Sequence, residues 1–417
     1  MDVRRVVRVD VRRVRAARGR DPGRHVPDAA AVADPVRVGG SPDRGLQPVR
    51  GRTVARRRSA PDPALEDVVA LTMELAAVPA PTGDEGGRAD VVAALLSAAG
   101  LEVDQDAVGN VVARVRDTDR ERPAVVVSAH LDTVFGSGVA LAPRREGDRL
   151  HAPGIGDNTV AVAALVVLAR ELAAGVHPAD TVLAATVGEE GLGDLRGAKH
   201  LLRTVPARAY VSLEGHLLDE LVVGGIGSVR LRATYTGPGG HSWGDRDAPS
   251  AVHALLKAGA AALDAVPVGR HVNLGVVEGG TTVNAIAASA SLLVDLRDED
   301  EDRLEETARI VGAVLGRAPL GIVARVDRIG HRPAGRMDRD APIVRAARSA
   351  RADVGLRPGR EDVGSTECNA AFPLGIPTVC LGLTRGADMH RESEWIAIEP
   401  ISDGLAAVRA LLRRLRD

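Results

Sequence analysis

Aromatic side chains are nearly absent from this 417-residue chain, which holds two each of Phe, Tyr and Trp. That scarcity argues against a nucleic-acid-binding protein, because single strands and loops are read largely by stacking bases on aromatic platforms. Lysine is equally rare: Lys199 and Lys257 are the only two, so nearly all of the 54 basic residues are Arg. Together with the abundance of Ala, Gly and Val, this is most simply a bias of the coding DNA and not a guanidinium-specific function. Two cysteines, Cys368 and Cys380, are too few for a disulfide framework, and no Cys-x-x-Cys occurs. Both are expected as buried free thiols. Nothing calls for an oxidising compartment, and a cytoplasmic location is expected. No apolar run approaches the ~20 residues of a membrane span, the longest lying near 160–169.

The formal net charge of -2 conceals an asymmetry: residues 1–60 hold 16 Arg and 6 Asp, so the remainder is distinctly acidic. The basic segment has neither a helical nor a strand period and lacks the apolar core of a secretory signal. Its Asp content does not suit a transit peptide. It reads as a disordered Arg-rich extension, a polyanion-binding tail being the functional alternative.

Beyond residue 60, periodicity predicts helices over 65–78 and 89–100, the second ended by Gly100. Short strands follow in LEVDQD and GNVVARVRD. AVVVSAHLD (124–132), TVLAATVGEE (181–190) and ARAYVSLEG (207–215) are continuously apolar up to polar ends, as strands buried on both faces are. With the helix pattern of 159–175 between them, they indicate an α/β domain built on a mixed sheet. After residue 222 the pattern becomes strand 225–236, helix 248–265, strand 271–278, strand 288–297, helix 300–316 and strand 321–329. That βαββαβ order is expected to form an inserted ferredoxin-like unit. Helix 341–352, strand 377–383 and helix 402–416 then resume the first domain. The expected division is 61–222 and 333–417 for a catalytic domain and 223–332 for the insert.

Each buried strand of the first domain ends in acidic or imidazole side chains: His130 and Asp132, Glu189 and Glu190, and Glu214. Ligands of open α/β sheets gather at the carboxyl ends of strands, so these segments can share one crevice. Asp157 immediately precedes a helix, where Asp is most often an N-cap. Adjacent Glu189 and Glu190 can both face the crevice only if the strand has already turned, as Gly188 and Gly191 permit. The late segment MHRESEW adds His390. Two His and three carboxylates form a mixed N/O donor set for two divalent ions sharing one carboxylate, Zn first with Co or Mn plausible. Such a pair suits metal-assisted amide hydrolysis.

HLDTV, GIGDN, EEG, SLEG, GGHS, VNAI and MHRESEW, in that order over residues 64–417, resemble the co-catalytic metallopeptidases that include carboxypeptidase G, peptidase T, the desuccinylases of lysine biosynthesis and the aminoacylases. The resemblance implies that Asp157 bridges two ions, completed by His130 and Glu214 on one side and by Glu190 and His390 on the other. It implies that Asp132 fixes the His130 tautomer and that Glu189 is the general base. It further implies a lid that brings His241 to the carbonyl oxyanion, often across a homodimer interface, and Asn284 and Arg297 to the substrate amide and carboxylate. Ser365, Thr366 and Asn369 are expected around the substrate. The chain departs from the usual family text at Asn158 and Glu367, where Asp is common. Glu214 resembles the carboxypeptidase and deacylase branches, whereas STECNAAFPLGIPTVCLG resembles the peptidase T-like aminopeptidases. The implied activity is a two-metal exopeptidase of di- or tripeptide type. A deacylase of N-acyl amino acids and a non-catalytic metal-binding relative are the alternatives.

Overall fold

The structure, a computed structural model, describes residues 64–116, 118–178 and 180–416; the Arg-rich extension expected over 1–60 lies outside the described residues. Helices α1 (Ala64–Ala76) and α2 (Gly86–Ala98) are followed by strands β1 (Glu102–Gln105), β2 (Val111–Arg114) and β3 (Ala124–His130). A small hairpin, β4 (Arg144–Glu146) and β5 (Arg149–His151), precedes helix α3 (Val160–Ala173). Then come β6 (Thr181–Thr186), α4 (Arg196–Thr204), β7 (Ala207–Glu214) and β8 (Glu220–Gly225). Every residue of β3 and β6 is buried, as their continuous apolar runs require. Helix α3 is apolar nearly all round, and only Arg170, Glu171 and Ala173 escape burial, so it fills the interior between sheet and outer helices.

The chain next builds a second sheet from β9 (Gly227–Thr236), β10 (Gly240–His241), α5 (Ala251–Ala265), β11 (His271–Gly279), β12 (Ala285–Ile286), β13 (Ser289–Asp298), α6 (Glu301–Leu315) and β14 (Val323–Arg332). Four of these strands pair antiparallel in the order β11-β13-β9-β14, while β10 and β12 form a separate two-stranded pair. Val229, Leu231, Ala233 and Tyr235 on β9 and Ala290, Leu292, Val294 and Leu296 on β13 alternate inward. They meet Ala251, Leu255, Ala258 and Ala262 of α5 and Leu304, Ala308, Val311 and Leu315 of α6. The three-to-four-residue spacing of those helix positions is what lays both helices on one face of the sheet.

The return comprises β15 (Gly335–Arg336), α7 (Pro342–Asp353), β16 (Arg360–Gly364), β17 (Thr378–Gly382), β18 (Gly386–Ala387), β19 (Trp395–Ala397) and α8 (Pro400–Arg414). The large sheet runs β1-β2-β6-β3-β7-β17-β8-β15, with β16 also paired to β8. Strands β6, β3, β7 and β17 are parallel, whereas β2 and β8 join antiparallel, so the sheet is mixed. The molecule is therefore an α/β protein with a large mixed sheet and an auxiliary antiparallel sheet. Cys368 and Cys380 are buried and unlinked. Among the described residues no helix is long and apolar enough to cross a membrane.

Periodicity did not reveal α4, β8, β15 or β16. The nine residues of α4 carry only Ala198, Leu201 and Leu202 as buried apolar side chains, too short a stripe to stand out. Strand β8 ends in Val-Val-Gly-Gly, which reads as a turn, yet it pairs with β15, β16 and β17. Tertiary pairing decides such segments over local propensity.

Candidate metal centre

Parallel neighbours β6, β3 and β7 end at one edge, and that edge carries the donors. His130 is the last residue of β3 and Glu214 the last of β7. Beyond β6, Gly188 takes φ 66°, which turns the chain so that Glu189 and Glu190 follow outside the strand. Asp157 is not an N-cap: it lies in the turn Ile155–Thr159 with φ -116° and ψ 85°, and α3 starts three residues later. The peptide bond between Asp157 and Asn158 is cis. His390, at φ 64°, enters from the loop between β18 and β19.

These segments converge on Asp157. His130 Nε2 lies 3.1 Å from Asp157 Oδ1 and 3.8 Å from Glu214 Oε2. His390 Nε2 lies 2.9 Å from Asp157 Oδ2 and 3.3 Å from Glu190 Oε1. One carboxylate thus offers an oxygen to each of two imidazoles, each with a further carboxylate beside it. Ligand atoms of His130, Asp157 and Glu190 all lie within 4.8 Å of one another. The electrostatics agree with a cation site. Burial, reinforced by Asp157 and Glu189, pushes the Glu190 carboxyl up to about 7 against the bond from His390. Burial also raises Glu214 well above the usual carboxylate range. Burial would also raise Asp157, but hydrogen bonds from His130 and His390 hold it well below the usual carboxylate range. Bonds to Asp157 and Glu190 raise the His390 imidazole to about 10. Protons are retained where positive charge is wanted, and oxygen and nitrogen donors in this mixture suit two divalent cations.

Asp132 is fully buried and accepts the main-chain N–H groups of Glu189 and Glu190, both at 2.9 Å, and the Thr82 hydroxyl at 2.9 Å. His130 Nδ1 stands 3.0 Å from the Asp132 main-chain oxygen and 3.5 Å from its carboxylate, so the peptide carbonyl is its nearer partner. The Glu189 carboxylate is held by Arg332 at 2.9 Å. Glu367 sits behind the centre, fully buried, accepting from Ser128 at 2.7 Å and Thr186 at 2.5 Å.

The remaining expected residues spread out. His241 is exposed, its Nδ1 accepting the N–H groups of Trp243 and Gly244 at 3.2 Å. Asn284 is exposed too, and strands β10 and β12 tie its loop to that of His241. Arg297 lies at the other end of β13, with Nε 2.7 Å from Asp295. Eight residues of strand separate its end from the start of β13, about 26 Å at the usual rise. Ser365 accepts from Arg332 at 2.9 Å, and the Thr366 hydroxyl caps the following turn. Asn369 is fully buried with its amide committed to Thr366, Ile226 and Pro333.

Two contributors, Glu394 and Arg332, escaped the sequence, and a third, Asn158, stood there only as a departure from the family text. Glu394, fully buried, accepts N–H groups from Gly154, Gly156 and Asp157 and lies 2.9 Å from His216 Nε2. Its signal was a carboxylate four residues after His390 in MHRESEW. Asn158 donates to the Leu213 carbonyl and accepts from Gly215, bracketing Glu214. Arg332 closes the second sheet. A second acidic grouping, Glu301, Glu305 and His331, also forms. Arg328 holds both Glu305 oxygens there, and the Ala334 N–H takes Glu301, so it is an ion-pair cluster already satisfied from within.

Fold and donor set together define a metal-dependent hydrolase. Residues 126–414 match the model of Peptidase family M20/M25/M40, and the chain belongs to that family. A succinyl-diaminopimelate desuccinylase of Dinoroseobacter shibae is 27% identical over 390 residues, covering 84% of this chain and 99% of the relative. An N-acetyl-L-citrulline deacetylase of Xanthomonas campestris is 32% identical over 230 residues, covering 51% of this chain and 60% of the relative. Among solved structures, an aminopeptidase PepT from Bacillus cereus superposes with a TM-score of 0.66 at 22% identity, covering 85% of this chain and 99% of that one.

Proposed function

We propose that this protein is a two-metal exopeptidase acting on small peptides, with Asp157 shared between two ions, His130 and Glu214 completing one and Glu190 and His390 the other. The carrying observation is that each Asp157 oxygen meets a different imidazole within 3.1 Å. Zinc is the favoured ion, with Co or Mn as substitutes. Bound ions would polarise the scissile carbonyl and make water acidic. Glu189 takes a proton from the attacking water and delivers it to the leaving amine. Asp132 fixes the main chain of Glu189 and Glu190 and shapes the surroundings of His130.

In this reading, residues 223–332 form a ferredoxin-like lid inserted between catalytic segments 61–222 and 333–417. Arg297, at the end of β13 that pairs with the start of β9, where the chain leaves β8 of the large sheet, binds a substrate carboxylate through its planar fork. His241 and Asn284 stand at the far end of the same strand, exposed, so they serve the site of a second copy, which makes the enzyme a homodimer. His241 stabilises the oxyanion and Asn284 the substrate amide. Ser365 and Thr366 border the substrate, while Asn369 supports the chain crossings beneath it.

A deacylase of N-acyl amino acids is the second reading, favoured by Glu214 as ligand and by the desuccinylase relative matched along 99% of its length. A panel of di- and tripeptides beside N-acetyl and N-succinyl amino acids, run on zinc-loaded enzyme, separates the two. Turnover of dipeptides alone supports the peptidase; turnover of acyl amino acids alone replaces it. Full activity in Glu189→Gln would remove both.

A further inference from the structure

We infer that Arg332 is a positioning residue that ties the Glu189 carboxylate to the crossing between the two sheets. This rests on the reading of Glu189 as general base. Arg332 is the last residue of β14, where the chain leaves the auxiliary sheet. Its guanidinium is buried, with only 5% of the side chain exposed against 7% for Glu189. Nη1 donates to Glu189 Oε1 at 2.9 Å and to Ser365 Oγ at 2.9 Å, while Nη2 donates to the Glu189 main-chain oxygen. Nε has no partner, so the fork is committed to Glu189 and Ser365 alone. The planar fork of Arg fixes side chain and main chain of one residue at once, which a point charge cannot do.

The crossing itself is close-packed. Asn369 Nδ2 donates to Ile226 O and to Pro333 O, both at 2.9 Å, joining the outgoing and returning strands. A Cβ on Gly225 would lie 2.6 Å from Asn369, and one on Gly335 would lie 2.4 Å from Phe372. Arg332 therefore projects from a well-fixed point, adjacent to Pro333, onto the base. Any rotation of the auxiliary sheet about this crossing moves the guanidinium and, with it, Glu189. Orientation of the second sheet is thereby felt at the proton-transferring oxygen.

The test uses the full chain loaded with zinc and the best substrate of the panel above. Arg332→Ala is expected to lower kcat about 100-fold, the loss that an ångström-scale misplacement produces. KM is expected to stay within a few-fold and bound zinc to be unchanged. Arg332→Lys, which keeps the charge and the fold, is expected to recover part of kcat because it can reach Oε1 but not also the main-chain oxygen. Millimolar guanidinium is expected to raise kcat of Arg332→Ala and not of the wild type. In a Glu189→Gln background, Arg332→Lys should change nothing further. Wild-type kcat in Arg332→Lys, or zinc loss that accounts for the whole effect in Arg332→Ala, overturns the proposal. If Glu189→Gln is itself fully active, the underlying reading of the base fails instead.

Discussion

The carboxylate of Glu394 accepts the main-chain N–H of Asp157 at 3.0 Å, and so holds the residue on which both imidazoles converge. The same carboxylate takes Gly154 and Gly156 and lies 2.9 Å from His216, which follows Glu214 by two residues. One buried side chain thus gathers the loops bearing Asp157, Glu214 and His390. There is no room to slacken this: a Cβ at Gly156 would fall 2.2 Å from His216 Nε2.

Replacing Glu394 by Gln puts an N–H donor where the loop presents N–H groups. Glu394→Gln is expected to weaken metal affinity 10–100-fold, as loss of an outer-shell partner does. Competition against a chromogenic chelator measures this directly. Unchanged affinity would mean that the turn Ile155–Thr159 holds its shape without Glu394.

Metal removal should expose the charge imbalance at the centre. In the metal-free chain Glu190 has a folded pKa of about 7, above its unfolded value, so the folded state holds the extra proton from roughly pH 4.5 to 7. His390, raised to about 10, likewise contributes stability that is complete below roughly pH 6.5 and is lost as pH climbs through 10. Both signs agree: stability of the stripped protein falls as pH rises. Metal binding must release these protons, so its stabilisation grows over the same range. Thermal melts with EDTA and with zinc should therefore diverge more at pH 8.5 than at pH 6. A gap that is constant or narrows contradicts the assignment.

The large sheet was legible because AVVVSAH and TVLAAT have no polar face to hide, and the auxiliary sheet because β9 and β13 alternate cleanly. His130, Glu189, Glu190 and Glu214 were legible because each sits at or just beyond a strand end, whereas Asp157, in a turn before α3, and His390, in a loop, carry no such mark. What could not be read was who holds them. Glu394, Asn158 and Arg332 act through partners 55 to 240 residues away, and no local period marks such a bond. Trp395 stacks under Arg149 at 3.8 Å and Phe372 packs against Gly335, while Trp243 stands 75% exposed beside His241.

Asn158 offers a test of support that charge alone would not predict. Its amide donates to Leu213 O at 2.8 Å and accepts from Gly215 N at 2.9 Å, at full burial. Aspartate keeps the acceptor but sets an oxygen against a carbonyl. Asn158→Asp is expected to cost about 1–3 kcal/mol in urea unfolding of the metal-free protein at pH 8. The cost should shrink at pH 5, where a protonated carboxyl can donate to Leu213 O. Equal stability of the two chains at pH 8 would show that the peptide ends around Glu214 are held otherwise.

Exposure of His241 and Asn284 at one end of β13, with Arg297 at the other, leads to a complementation experiment. If His241 serves the partner's site, His241→Ala and Glu189→Gln are each inactive as homodimers. Mixed and allowed to exchange, half of the dimers are mixed, and each contains one intact site: the Glu189 of one chain with the His241 of the other. Restored activity should approach about a quarter of wild type for random exchange in a two-fold assembly. Size-exclusion chromatography fixes the oligomeric state in the same samples. A dimer that exchanges without recovering activity places His241 in its own chain's site or outside catalysis, and a monomer that turns over at full rate removes the shared-site arrangement altogether.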